Sequence, residues 1–165
     1  MRPENKSNVE IVEYSARYGD AFERLNVEWL DKYFEVEPID RQIQSDPMST
    51  IIAPGGVILY ARVEAEVVGT VALKYAGDGV YELTKMAVTE RRQGLGIGRK
   101  LLQAAIRRFQ QLDGNTLYLE SHSSLGPAIA MYESAGFCHE TPPAPSEYAR
   151  ADVFMVYRGE AALTA

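Results

Sequence analysis

The apolar and polar positions of this chain follow two rhythms, and the rhythm changes at glycine and proline. The run from Glu10 to Tyr14 predicts a short first strand. From about Gly19 to Phe34, Phe22, Leu25, Trp29 and Tyr33 recur at helical spacing, with Asp20 placed as a cap. A second short helix is predicted through Ile43, ending before Pro47, because the residue ahead of a proline is pushed out of the helical region. Three strand-like runs follow, Val57–Val63, Val67–Tyr75 and Val80–Val88. Tight turns at Glu64-Ala-Glu66 and Gly77-Asp-Gly79 join them into an antiparallel meander. A helix then runs to about Leu112. Its expected buried stripe is Leu101, Leu102, Ala105, Phe109 and Leu112, with Arg99, Gln103, Arg107 and Gln110 toward water. Thr116–Ser121 is reached by that helical crossover and so should lie parallel to 80–88. A helix from about Leu125 to Ala135 closes at Gly136. A hairpin of Phe137–Glu140 with Val153–Tyr157 ends the pattern, and Pro142, Pro143 and Pro145 make its linker irregular.

The turn between 88 and 98 is where pattern becomes chemistry. A strand ends, the chain passes through Gly94, Gly96 and Gly98, and a helix begins. The first N–H groups of a helix have no partner within it, and the helix dipole favours an anion there. Arg91, Arg92, Arg99 and Lys100 crowd the same turn. Cations are disfavoured at that end of a helix unless an anion sits among them. A diphosphate is the expected ligand, and glycine would let the backbone approach it closely. The dinucleotide fingerprint fails, since its third glycine would fall on Arg99 or Leu101. The P-loop also fails, since Leu101 follows Lys100.

Composition narrows the class. The chain has 165 residues, which suits one globular domain (9–158) between short tails at 1–8 and 159–165. A net charge of −6 argues against nucleic acid or an anionic membrane as partner and marks the basic turn as a local exception. The lone Cys138 cannot form an intramolecular disulfide. No apolar run approaches the ~20 residues of a membrane span, and the N-terminus lacks the apolar core of a signal peptide. A cytoplasmic protein is expected. No metal-ligand spacing is present.

Gln93-x-x-Gly96-x-Gly98 resembles the Gln/Arg-x-x-Gly-x-Gly/Ala motif by which GNAT-superfamily N-acetyltransferases hold the pyrophosphate of coenzyme A. Glu82–Val88 is similar to the family's fourth strand. Leu119-Glu-Ser121 and Ala128–Phe137 are similar to its fifth strand and following helix, with the terminal Tyr-x-x-x-Gly-Phe. The likeness covers roughly residues 57–157. It implies an α/β fold with a mixed sheet (α+β) of about seven mostly antiparallel strands, a parallel splayed pair, and four helices. It also implies acetyl-CoA as co-substrate and no metal.

The resemblance implies roles for particular residues. Backbone groups of Gln93, Gly94, Leu95, Gly96, Ile97, Gly98 and Arg99 would bind the pyrophosphate. Met86, Ala87 and Val88 would line the splay and supply an oxyanion donor. Tyr132 would protonate the departing thiolate; otherwise it is a core tyrosine. Glu82 alternates with Thr84 and Met86 on one strand face, as a general base or a solvated strand glutamate, with Glu120 a second candidate. His122 could do acid–base work, bond the pantetheine, or sit beside a helix cap. Tyr33, Phe34 and Glu35, with Trp29, Glu37 and Asp40 nearby, would suit a cationic amine, and an exposed acidic loop explains the same carboxylates. Leu125 stands where many members carry asparagine. The expected reaction is transfer of an acetyl group to a primary amine, of a small molecule or a peptide, by direct attack in a ternary complex. The expected assembly is a homodimer. The alternatives are a non-catalytic acyl-CoA-binding module and a nucleotide-phosphate binder.

Overall fold

A computed structural model describes residues 8–159; all but the innermost residue of each expected tail lies outside that range. Its elements are β1 (Val9–Glu13), α1 (Ala21–Tyr33), α2 (Pro38–Ser45), β2 (Val57–Val63), β3 (Glu66–Tyr75) and β4 (Val80–Val88), then α3 (Ile97–Gln111), β5 (Thr116–Ser121), α4 (Gly126–Ala135), β6 (Phe137–His139) and β7 (Val153–Tyr157). The meander forms the centre of one seven-stranded sheet, in the order β1-β2-β3-β4-β5-β7-β6. Every neighbouring pair is antiparallel except β4 with β5, which α3 connects by a crossover.

The sheet carries a core on each face. Phe22 and Leu25 of α1 and Ile43 of α2 pack with Ile58, Tyr60 and Ala87. Leu101, Leu102 and Phe109 of α3 and Tyr132 of α4 pack with Leu83, Leu117, Leu119 and Met155. Gly136 takes φ 108° at the end of α4, the left-handed closure expected of a glycine there.

Several details differ from expectation. Leu112 is 37% exposed, because it falls after the last turn of α3 and leaves the buried stripe; Ile97 and Ile106 occupy that stripe instead. Asp20 precedes α1 but its side chain makes no cap bond; at φ −90° and ψ 20° it lacks the extended conformation of a working N-cap. Residues Met48–Ile52 form a short π-helical turn that periodicity did not indicate, and it buries Ile51 completely.

The largest departure is in β4. Thr70 pairs with Ala87 and Ala72 with Thr84, so Val71 alone faces both Lys85 and Met86. This is a β-bulge, with Lys85 in the left-handed region at φ 55°. Alternation therefore breaks. Leu83 and Met86 belong to the α3 side, whereas Ala87 belongs to the α1 side. Met86 does not share the face of Glu82 and Thr84, contrary to the simple period-two reading.

Gly56 gives the fold a sharp test. A methyl group there would sit 2.4 Å from the Leu73 carbonyl oxygen and 2.6 Å from that of Ile51, both backbone. Gly56→Ala is expected to lower unfolding free energy by about 1–3 kcal/mol, measured by urea titration.

Candidate active site

Parallel pairing between β4 and β5 stops at Glu82↔Tyr118. Beyond it β5 continues beside β7, and β4 continues beside β3. The two strands part, and a cavity of about 820 Å³ opens in the gap. Glu82 through Val88 line it from one strand and Leu119 through Ser121 from the other.

One mouth of the cavity is built by the glycine turn. Gly94 and Gly96 have φ 79° and 80°, a region that costs an L side chain roughly 1–2 kcal/mol. A Cβ at either would meet nothing within 4 Å, so conformation rather than crowding calls for glycine there. The first bond of α3 runs from Lys100 N to Gly96 O. The N–H groups of Ile97, Gly98 and Arg99 precede it, and no side chain caps them. This helix start can accept an anion. Of the four cations, Arg92 and Arg99 line the cavity. Arg91 pairs with Glu66, and Lys100 is exposed outside the lining. Gln93 lines the cavity and donates from Nε2 to Val88 O at 3.1 Å. The turn is anchored to α1, where Glu28 accepts from Thr89 Oγ1 at 2.9 Å and from Glu90 N at 3.0 Å.

Tyr132 reaches the cavity from α4 and is only 9% exposed. Burial pushes its hydroxyl up to about 12, so it is protonated at neutral pH and able to donate. Across the gap, Glu82 accepts from Tyr118 Oη at 3.1 Å. Burial, and then the neighbouring Glu120 carboxylate, raise the Glu82 carboxyl above its ordinary value. Glu120 also lines the cavity and accepts from Ser146 Oγ at 2.7 Å.

The far wall is an ionic network. Asp40 is fully buried. Lys85 Nζ donates to its Oδ1 at 2.5 Å, and Arg150 Nη1 and Nη2 donate to both oxygens at 2.8 and 2.9 Å. Glu37 accepts from Arg150 Nη1 and from Ala149 N, each at 2.9 Å, and donates its own N–H to Asp40. Burial alone would raise the Asp40 carboxyl; the Arg150 and Lys85 hydrogen bonds outweigh it and bring it down to about 2. The Arg150 guanidinium lies 4.8 Å from the Tyr148 ring centre and 5.8 Å from that of Phe34. Glu37 and Asp40, grouped in sequence as an acidic loop, are thus spent on internal cations.

Tyr33 and Phe34 line the cavity, while Glu35 and Leu95 are exposed and do not. His122 lines it too; its Nδ1 accepts from Ser124 N at 3.1 Å, just ahead of α4, and its ring meets Phe34 edge-on at 5.4 Å. Tyr148 and Arg150 escaped sequence reasoning, because a proline-rich loop has no period; an Arg and a Tyr two residues apart in such a loop were the available signal. Among the described residues no group of His, Cys, Asp and Glu could hold a metal ion, and no helix is long and apolar enough to cross a membrane.

The family model for acetyltransferases of the GNAT family matches residues 19–137. The chain belongs to the GNAT acetyltransferase family. An uncharacterized N-acetyltransferase of Schizosaccharomyces pombe is 28% identical to this GNAT chain over 123 residues, covering 72% of the chain and 75% of the relative. The uncharacterized N-acetyltransferase YjgM of Escherichia coli is 33% identical over 89 residues, 52% and 53% of the two proteins. Among solved structures, a GNAT acetyltransferase of Staphylococcus aureus superposes with TM-score 0.80 at 20% identity, covering 91% of this chain and 98% of that one. YncA of Salmonella typhimurium with its cofactor acetyl-CoA gives 0.71 at 21% identity, covering 91% and 93%. The PaiA N-acetyltransferase of Thermoplasma acidophilum in complex with coenzyme A gives 0.71 at 17% identity, covering 91% and 98%. These likenesses establish the fold: a mixed sheet, mostly antiparallel, with one parallel pair.

Because Asp40, itself shut off from water, anchors the buried Lys85 and the partly exposed Arg150, Asp40→Asn is expected to lower unfolding free energy by about 3–5 kcal/mol, read by urea titration at neutral pH. The folded-state carboxyl lies below its ordinary value of 3.8. Its stabilisation is therefore complete above that value in wild type and fades as pH falls toward about 2, whereas the variant lacks this acid dependence.

Proposed function

We propose that this GNAT domain transfers an acetyl group from acetyl-CoA to a primary amine by direct attack in a ternary complex. One observation carries the reading. A single cavity runs through the sheet, with uncapped helix N–H groups at one end and the desolvated Glu82 carboxylate across the gap. The donor site fits a coenzyme A diphosphate: three free N–H groups, two left-handed glycines and two cavity-facing arginines converge there. Structures of the same fold that hold coenzyme A or acetyl-CoA support this choice.

Acetyl-CoA supplies a thioester whose acyl carbon is the electrophile. The residues from Gln93 to Arg99 hold the diphosphate, and Met86, Ala87 and Val88 border the acyl group along the unpaired edge of β4. An alkylamine near pKa ~10 is ~3 units from neutral pH, so freeing its lone pair costs roughly 4 kcal/mol. Glu82 takes that proton, directly or through a water. As the C–N bond forms and the C–S bond breaks, Tyr132 gives its proton to the departing sulfur. The acceptor lies against Tyr33 and Phe34, near Glu120 and Tyr148.

Three outcomes test this. Glu82→Gln is expected to reduce kcat/KM for the amine by about 10²-fold or more, and Tyr132→Phe to reduce kcat, with coenzyme A affinity unchanged in both. If both variants turn over like wild type while still binding coenzyme A, the domain is a non-catalytic binder. Gly96→Ala is expected to raise the coenzyme A Kd about tenfold by calorimetry, since φ 80° strains any side chain.

Glu82 also predicts a trade of stability for activity. Its folded-state carboxyl is raised above the ordinary 4.5, so its contribution to stability is full below that value and is lost as pH rises through the raised one. Activity rises over the same interval. Glu82→Gln should therefore melt higher than wild type at pH ~8 and lose the acid limb of the pH–rate profile.

A further inference from the structure

The bulge in β4 is made by a residue that resists it. Where two residues face one, the first commonly lies near the right-handed helical region; in the variant where it turns left-handed, it is glycine. Here it is Lys85, at φ 55°, in a conformation that costs a side-chain-bearing residue on the order of 1 kcal/mol or more. Such backbone persists only where its surroundings over-determine it. The surroundings are specific. Lys85 Nζ lies 2.5 Å from Asp40 Oδ1, with the two side chains 4% and 0% exposed, and 5.0 Å from the centre of the Tyr148 ring. Asp40 cannot follow a moving lysine, since Arg150 and the N–H of Glu37 also hold it.

The bulge also matters to the site. It lies between Glu82 and the glycine turn on one continuous strand, and one residue more or less reverses every side chain beyond it. Met86 and Val88 pack on the α3 side and Ala87 on the α1 side only because of it. We propose that Lys85 is a positioning residue: its ammonium, clamped on Asp40, pulls the backbone of residue 85 into the left-handed region and so sets the orientation of β4 from Met86 onward relative to Glu82. This rests on the acyl-transfer reading. It predicts that the lysine acts through its own backbone rather than on the reactants.

The test compares Lys85→Ala with Lys85→Gly. Both lack the ammonium and leave Asp40 paired with Arg150, but only glycine enters positive φ freely. Lys85→Ala is expected to lose about 10²-fold in kcat, with coenzyme A affinity unchanged, and Lys85→Gly to recover most of the loss. Crystal structures should show residue 85 returned to negative φ in the alanine variant and left-handed in the glycine variant. Equal impairment of both would overturn the proposal, because the ammonium itself would then be acting; wild-type kcat in both would overturn it as well. If alanine unfolds and glycine folds, the difference supports the clamp, whereas unfolding of both would overturn it, because the ammonium would then be holding the fold rather than setting the conformation of residue 85. Should the wild type acetylate no amine, acyl transfer fails as the function, and the crystallographic comparison still decides whether the clamp sets the bulge.

Discussion

The structure turns on the parting of two parallel strands. A continuous sheet would pair β4 with β5 along their whole length and bury the seam. Here pairing lasts three residues on each strand and ends at Glu82↔Tyr118. Beyond that point β5 is held by β7 and β4 by β3, so both strands keep one satisfied edge while they diverge. The opposite edges face a cavity rather than each other. Unpaired backbone groups are costly when dry and useful when a ligand can reach them. On the proposed reading, a gap that joins the α3 side of the sheet to the α1 side would let two molecules meet from opposite faces.

Charge is distributed to match. Glu37, Asp40, Lys85 and Arg150 neutralise one another within the far wall. What remains toward the cavity is Glu82 and Glu120 in the strand gap, and Arg92, Arg99 and the positive end of α3 at the glycine turn. On a chain of net charge −6, this gives one basic mouth and one acidic interior. On the proposed reading, an anionic donor and a cationic acceptor would each be drawn to the side of opposite charge. The low local polarity that raises Glu82 also makes its demand for a proton stronger at neutral pH.

The legible parts of the chain were those governed by local rules. β2, β4 and β5 have the boundaries that alternation and turn residues predicted, and α3 starts within a residue of its expected position after the glycine turn. Gly136 closes α4 because an αL residue is needed there. Errors arose where a local rule was overruled by a contact distant in sequence. The bulge at Lys85 is the clearest case: nothing in Leu-Thr-Lys-Met marks it, since the residue that stabilises it is Asp40, forty-five positions earlier. Tyr148 and Arg150 were missed for the same reason, as their loop gains its conformation from Glu37 and Asp40.

By itself, the sequence determined the succession of strands and helices along the chain and the turn whose N–H groups stay free, because periodicity, glycine conformation and helix ends are properties of neighbouring residues; the family showed itself through the resemblance of Gln93-x-x-Gly96-x-Gly98 and its flanking segments. Only the tertiary structure decided which face each residue of β4 presents beyond Thr84, which carboxylates remain available to a ligand, and which loop closes the cavity. Those depend on charges brought together from α2, β4 and the β6–β7 connection, and pairing of buried charges is settled by proximity in space, which no local pattern encodes.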